Sequence, residues 1–320
     1  MISELRYRFY DRKPAAVDMR EAVLEGLVSR PKRLSPKYFY DEAGSKLFEA
    51  ITELPEYYPT RTEIALLETH RAEIARRVGA GVCLIEYGSG SSRKIQLLLE
   101  ELRPFCYVPV DISADHLEES ARKIHDEYPW LRVFPMSADF SDELRLPSAV
   151  GTARRVAFFP GSSIGNFEPK LALEFMRRVA RVIEPGGQFL IGVDRKKDRT
   201  ILERAYNDAT GVTADFNLNV LRHINTAIGA DFDTDRFSHV AIYNDELGCV
   251  QMFLESTVAQ TVQVAGTPFD LAAGERIHTE NSFKYDPEEF TRMAENAGFR
   301  RETWWTDEQD RFAVYLFAVD

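Results

Sequence analysis

Glu86, Gly88, Gly90 and Asp111 are the first residues in this chain whose types and spacing suit chemistry, and that chemistry is the holding of a ribonucleoside. Three of them fall in Ile85-Glu86-Tyr87-Gly88-Ser89-Gly90-Ser91-Ser92-Arg93-Lys94, between the apolar run Val82 to Ile85 and a helical pattern through Leu97, Leu98 and Leu99. A strand, a tight glycine turn and a helix start let a ligand approach bare backbone. Asp111 closes the next apolar run, Tyr107-Val108-Pro109-Val110. It lies about 20 residues past Gly90, where a second-strand carboxylate takes ribose hydroxyls in doubly wound sheets. A glycine pair alone marks any tight turn between strand and helix; Asp111 tips the reading toward a nucleoside.

The dinucleotide fingerprint wants a third glycine where this chain has Arg93, which disfavours a pyrophosphate and a nicotinamide oxidoreductase. Glu86 places an acidic group beside the turn, which suits a cationic ligand. S-adenosylmethionine carries a sulfonium, an ammonium and a ribose, and needs no phosphate cradle. Ser137-Ala138-Asp139-Phe140 follows another apolar run, Leu131 to Met136, and offers an acid and an aromatic ring for an adenine.

A second group could recognise a small heterocycle. Glu280 and Ser282 are two apart in Ile277-His278-Thr279-Glu280-Asn281-Ser282-Phe283, so in a strand both side chains share a face. A carboxylate accepts from an N–H and a hydroxyl donates or accepts, which together bracket a ring with two nitrogens. Met252, in Val250-Gln251-Met252-Phe253-Leu254, supplies an adaptable apolar wall. Judged singly, Glu280 reads as a solvated strand residue and Met252 as core. The third group is polar and aromatic: Tyr40, Tyr57 and Tyr206, with the loop Pro160-Gly161-Ser162-Ser163-Ile164-Gly165-Asn166-Phe167. The tyrosines also read as scaffold. Asn166, just past an apolar strand, offers a donor and an acceptor to the polar end of an amino acid.

The elements that position these groups alternate strand and helix. Val156 to Phe159 reads as a fourth buried strand, and the helix Leu171 to Ile183 stops at Pro185-Gly186-Gly187 before the strand Gln188 to Val193. Such alternation implies a parallel sheet. The order resembles the class I S-adenosylmethionine-dependent methyltransferases, including their helix–Pro-Gly-Gly–strand step. Residues 1–61 read as helices and loops. Helices Thr200 to Asn207 and Thr213 to Ala227 precede a β-rich region comprising Ser238 to Tyr243, Cys249 to Val264 and Glu275 to Tyr285. A helix Pro287 to Ala297 and strands Arg301 to Thr306 and Phe312 to Ala318 complete the sheet. The expected fold is therefore α/β: a Rossmann-like methyltransferase domain (62–197 with 285–320) and a second, inserted α+β substrate-binding domain (1–61 with 198–284). An active site between two domains is a common arrangement for small-molecule pockets.

Composition narrows the partners. A net charge of −11 and a pI near 5.2 argue against nucleic acid. The basic run Arg195-Lys196-Lys197 is short and flanked by Asp194 and Asp198. Neither a signal peptide nor a run of about 20 apolar residues is visible, so a cytoplasmic protein away from membranes is expected. Cys83, Cys106 and Cys249 are unclustered and sit in or beside apolar runs, as buried reduced thiols do. The six histidines show no metal-ligand spacing, so no metal is expected.

Leu54-Pro55-Glu56-Tyr57-Tyr58-Pro59-Thr60-Arg61-Thr62-Glu63, Gly161-Ser162-Ser163-Ile164-Gly165-Asn166 and Thr279-Glu280-Asn281-Ser282 resemble the ergothioneine-pathway L-histidine Nα-methyltransferases, from about residue 15 to the C-terminus. The resemblance implies three S-adenosylmethionine-dependent methylations of the histidine α-amine, giving hercynine (N,N,N-trimethyl-L-histidine). It implies that Tyr57, Gly161, Asn166 and Tyr206 hold the amino and carboxylate groups, with Tyr57, Asn166 and Tyr206 as the catalytic set and Tyr40 close by. It implies that Glu280 and Ser282 bind the imidazole nitrogens beside Met252. Gly88, Ser89, Gly90, Lys94, Asp111, Asp139 and Phe140 would line the cofactor site. Ser163 departs from the family's threonine and keeps the hydroxyl. A small-molecule substrate and a monomer are expected. Two other readings stay open: methylation of another aromatic amino acid, and a non-catalytic nucleotide-binding regulator on the same fold.

Overall fold

The computed structural model describes residues 6–12, 19–90, 93–139 and 144–320. Phe140, expected at the adenine, lies outside the described residues, as do Ser91 and Ser92. The chain divides into two compact units, 1–14 with 59–196 and 285–320, and 15–58 with 197–284.

In the first unit a nine-stranded sheet runs in the order Tyr10–Asp11, Met136–Ser137, Cys106–Asp111, Cys83–Tyr87, Arg155–Phe159, Gln188–Asp194, Phe312–Val319, Phe299–Thr306, with Arg132–Val133 beside Cys106–Asp111. The pairings are parallel as far as Gln188–Asp194 and antiparallel for the last two strands. Strand order reverses at Cys83–Tyr87, whose neighbours are Cys106–Asp111 on one side and Arg155–Phe159 on the other. In open α/β sheets that reversal opens the ligand crevice at the carboxyl ends of the strands. Strand Cys83–Tyr87 is buried throughout, as a strand covered by helices on both faces must be. Its core neighbours include Leu98, Leu99, Ile124 and Phe158.

The second unit holds a four-stranded sheet in the order Lys32–Arg33, Arg276–Phe283, Cys249–Ser256, Phe237–Asn244 and a hairpin of Gln260–Val264 with Thr267–Leu271. Helices Met19–Val28, Glu42–Thr52, Arg199–Ala205 and Val212–Ile228 complete it. Its core gathers Phe39, Tyr57, Phe216, Val220, Met252 and Leu254.

Three local expectations need correction. Residues 1–61 are not all helix and loop, because Tyr10–Asp11 pairs with Met136–Ser137 and Lys32–Arg33 with Ile277 and His278. The first of these strands falls in the unit that also holds residues 59–196. The run Cys249 to Val264 is two strands, broken at 257–259, and Thr267–Leu271 is a further strand. Two-residue strands carry no periodicity, so only their partners reveal them.

Candidate active site

The cofactor-type residues meet at the carboxyl end of Cys83–Tyr87. The turn is made by Gly88 and Gly90, both in the left-handed region (φ 68° and 31°). Gly88 and Ser89 donate their N–H groups to the Val110 carbonyl at 2.8 and 3.3 Å, which ties the turn to the next strand. Asp111 ends that strand; one carboxylate oxygen accepts from Gly90 N–H at 3.3 Å and the other from Ser113 N–H at 3.0 Å. Burial raises its pKa, and those backbone N–H groups pull the other way. Asp139 sits two residues past the short strand Met136–Ser137, half-buried.

These residues fit S-adenosylmethionine. Among the described residues, a Cβ built on Gly90 would come within 4 Å of the Gly88 carbonyl oxygen alone, at 3.9 Å, which leaves the backbone accessible to a ligand on that side. Ser89 Oγ is buried and, among the described residues, has no hydrogen-bond partner. Lys94, at the start of helix Arg93–Leu102, is held 2.6 Å from the Glu63 carboxylate, which neutralises it as a phosphate cradle. Glu86 departs from the simplest expectation. Buried and accepting a hydrogen bond from the Tyr107 hydroxyl, it is pushed up to about 8 chiefly by desolvation, so at neutral pH it holds a proton.

Across the strand-order reversal, the loop after Arg155–Phe159 carries Gly161 and Asn166. Gly161 (φ 80°) donates its N–H to both Glu63 oxygens, at 3.1 and 2.8 Å, so that N–H is committed within the protein. The Ser162 hydroxyl accepts from Asp194 N–H at 2.8 Å, and Ser163 donates to the Pro160 carbonyl at 3.1 Å. Asn166 ends the single turn Ser163–Asn166, half-buried.

The second unit collects the ring-binding candidates. Met252 pairs with Glu280 and Val250 with Ser282, while Phe253 pairs with His278. Thr279 is thus the extra residue of a β-bulge, and His278 and Glu280 fall on opposite faces. Asn281 shares the His278 face, where the two side chains are 2.8 Å apart. Glu280 and Ser282 share the Met252 face, buried at 7% and 4% exposure. Burial pushes the Glu280 carboxyl up to about 8 against the pull of the Lys284 charge.

Tyr206, expected at the amino and carboxylate end of a substrate, has its hydroxyl 2.8 Å from Ser282 Oγ. Lys284 Nζ donates to both of these oxygens at 2.9 Å and sits 4.9 Å from the Tyr206 ring centroid. Tyr57 meets Tyr206 edge-on at 6.1 Å. Tyr40 packs against Phe48 and Phe216, each at 5.9 Å between centroids. His239 Nε2 lies 2.8 Å from the Tyr206 carbonyl and its Nδ1 2.8 Å from Asn217 Nδ2, which fixes the helix end that bears Tyr206.

Sequence reasoning missed Glu63, Tyr107 and Lys284 as parts of these clusters. Lys284 had a signal, since it continues the alternation Glu280, Ser282, Lys284. Glu63 lay inside a quoted motif with nothing local to mark its partners. Among the described residues, no group of three or more His, Cys, Asp or Glu is arranged to hold a metal, and no helix is long and apolar enough to cross a membrane.

Known proteins with similar sequences include histidine methyltransferases. The chain is 43% identical over 308 residues to the histidine N-alpha-methyltransferase of Mycolicibacterium smegmatis, covering 94% of this chain and 95% of that protein. It is 41% identical over 307 residues to the histidine N-alpha-methyltransferase of Mycobacterium tuberculosis, covering 94% of each. Ergothioneine biosynthesis protein 1 of Neurospora crassa is 34% identical over 298 residues, covering 90% of this chain and 33% of that protein. Residues 19–319 match the family of histidine-specific methyltransferases, SAM-dependent, and with nearly the whole chain inside that match the protein belongs to this family of S-adenosylmethionine-dependent enzymes.

Proposed function

We propose that the protein transfers three methyl groups in succession from S-adenosylmethionine to the α-amine of L-histidine, producing hercynine for ergothioneine biosynthesis. The observation that carries the histidine reading is the buried pair Glu280 and Ser282 on one strand face with Met252 beside them. A ring with two polar nitrogens can hydrogen-bond to both, and an indole, with its single N–H, to one. A site built to hydrogen-bond two ring nitrogens discriminates strongly against a ring that offers only one.

The cofactor supplies an electrophilic methyl group on a sulfonium, so the protein's task is alignment rather than activation. In this reading Asp111 takes the ribose hydroxyls, and Asp139 with Phe140 takes the adenine. Gly88, Ser89 and Gly90 let the remainder approach the backbone, while Lys94 acts through Glu63 on the Gly161 loop. Tyr57, Asn166, Gly161 and Tyr206 orient the amino acid, with Tyr40 nearby. The amine loses a proton to water before each transfer, with Tyr57 the nearest group to hydrogen-bond it. The quaternary product has no N–H left, and tyrosine ring faces tolerate such a cation, worth about 2 kcal/mol when desolvated. The protein acts as a cytoplasmic monomer on a small molecule, without nucleic acid or membrane partners.

Mass spectrometry of the purified protein with S-adenosylmethionine and a panel of amino acids tests this. Histidine should gain one, two and then three methyl groups, and tryptophan, tyrosine and phenylalanine almost none. Cofactor binding without transfer to any amino acid would overturn the reading in favour of a regulatory protein.

A further inference from the structure

Lys284 is 2% exposed, and its amine reaches the Tyr206 and Ser282 oxygens at 2.9 Å each. A lysine ammonium has three donors and no acceptor, so both hydroxyl oxygens must accept from it. The two hydroxyls are themselves 2.8 Å apart, and one donates to the other. Tyrosine is the more acidic and the better donor. Ser282 Oγ then accepts from Tyr206 and from Lys284, which uses both of its lone pairs. Its own proton is the group left for a ligand.

We propose that Lys284 is a specificity-determining positioning residue: by occupying the Tyr206–Ser282 hydroxyl pair it makes Ser282 an obligate donor, so that the site takes only a ring with an unprotonated nitrogen facing Ser282. The proposal rests on the assignment of the histidine ring to Glu280 and Ser282. It adds that the imidazole is read in one tautomer, its N–H toward an oxygen of Glu280 and its lone pair toward Ser282. An indole has no such lone pair and a ring N–H at that place meets another donor. Without Lys284, a lone pair on Ser282 returns and the hydroxyl accepts as readily as it donates.

The test is a double-substitution cycle in the full-length chain, with Lys284→Met, Ser282→Ala and both together. Steady-state kinetics with L-histidine and calorimetric titration of S-adenosylmethionine are the two measurements. Lys284→Met should raise the histidine KM by about tenfold, leave kcat within about threefold and leave cofactor affinity unchanged. In the Ser282→Ala background the same change should add less than about threefold, because its effect runs through the missing hydroxyl. A residue that merely supports the fold would act equally in both backgrounds. Multiplicative effects, or an unchanged KM, overturn the proposal. Should Lys284→Met not fold, Lys284→Gln is read in the same cycle. A wild-type protein that fails to methylate histidine would sink the underlying ring assignment instead, which separates the two failures.

Discussion

Glu63 Oε2 and Lys94 Nζ lie 2.6 Å apart, with Glu63 fully buried. The same carboxylate accepts the Gly161 N–H, and a Cβ at Gly192 would come within 1.9 Å of it. One side chain on helix Tyr58–Val78 therefore joins the helix after the glycine turn to the loop after strand Arg155–Phe159.

Removing that carboxylate leaves a largely buried lysine without its counter-charge. Glu63→Ala should destabilise the protein by about 3–5 kcal/mol, the usual cost of breaking a buried pair from one side. Glu63→Gln keeps an acceptor for Gly161 and should cost less. Denaturant midpoints of the two variants decide this; equal, small shifts would show that the pair does not brace the fold.

Asp111→Ala removes a carboxylate assigned to the ribose, and a charge-assisted hydrogen bond is worth about 1.5–3 kcal/mol. S-adenosylmethionine affinity should fall between about tenfold and a hundredfold. Gly90→Val should also weaken binding, because Gly90 has φ 31°, which strains any L side chain, and a side chain there would stand where the ligand must approach the backbone. Calorimetric titration tests both, and unchanged affinities with intact folds would move the cofactor site elsewhere.

Glu280→Ala should lower kcat/KM for histidine by about one to two powers of ten while sparing cofactor affinity, since one hydrogen bond to the ring is lost. Adding Met252→Val enlarges an apolar wall that no longer demands two nitrogens. Tryptophan turnover should then rise relative to histidine. Wild-type histidine kinetics in Glu280→Ala would reduce Glu280 to a buried strand residue.

Stability should carry the mark of Glu280 against pH. Burial raises its carboxyl from 4.5 to about 8 in the folded chain, so the native state holds a proton that the unfolded chain has released. Its contribution is complete below pH 4.5 and is lost as pH rises through about 8. Between these values the wild type should lose up to about 1.4 kcal/mol per pH unit relative to Glu280→Gln, which stays neutral. Glu86 titrates in the same window but is present in both proteins, so the difference cancels it. Unfolding free energies of the pair from pH 5 to 9 check the slope; a constant difference would mean that Glu280 is charged at neutral pH.

Signals that live within a few residues were legible from the sequence. The glycine turn Gly88–Gly90, Asp111 at the end of the next strand, the long buried strands and the Pro185-Gly186-Gly187 return each follow from backbone freedom or hydrophobic period. Glu280 and Ser282 were readable as one strand face for the same reason. Only the tertiary structure decided which polar groups meet. Glu63 with Gly161, Lys284 with Tyr206, and Tyr107 with Glu86 are pairs set by packing between elements distant in the chain. The bulge at Thr279, which turns His278 away from the Glu280 face, is fixed by register with Cys249–Ser256 and leaves no mark in the alternation. Local periodicity determines what an element is. The partner of a buried charge depends on which surfaces the core brings together, because a desolvated polar group takes whatever donor or acceptor packing leaves within reach.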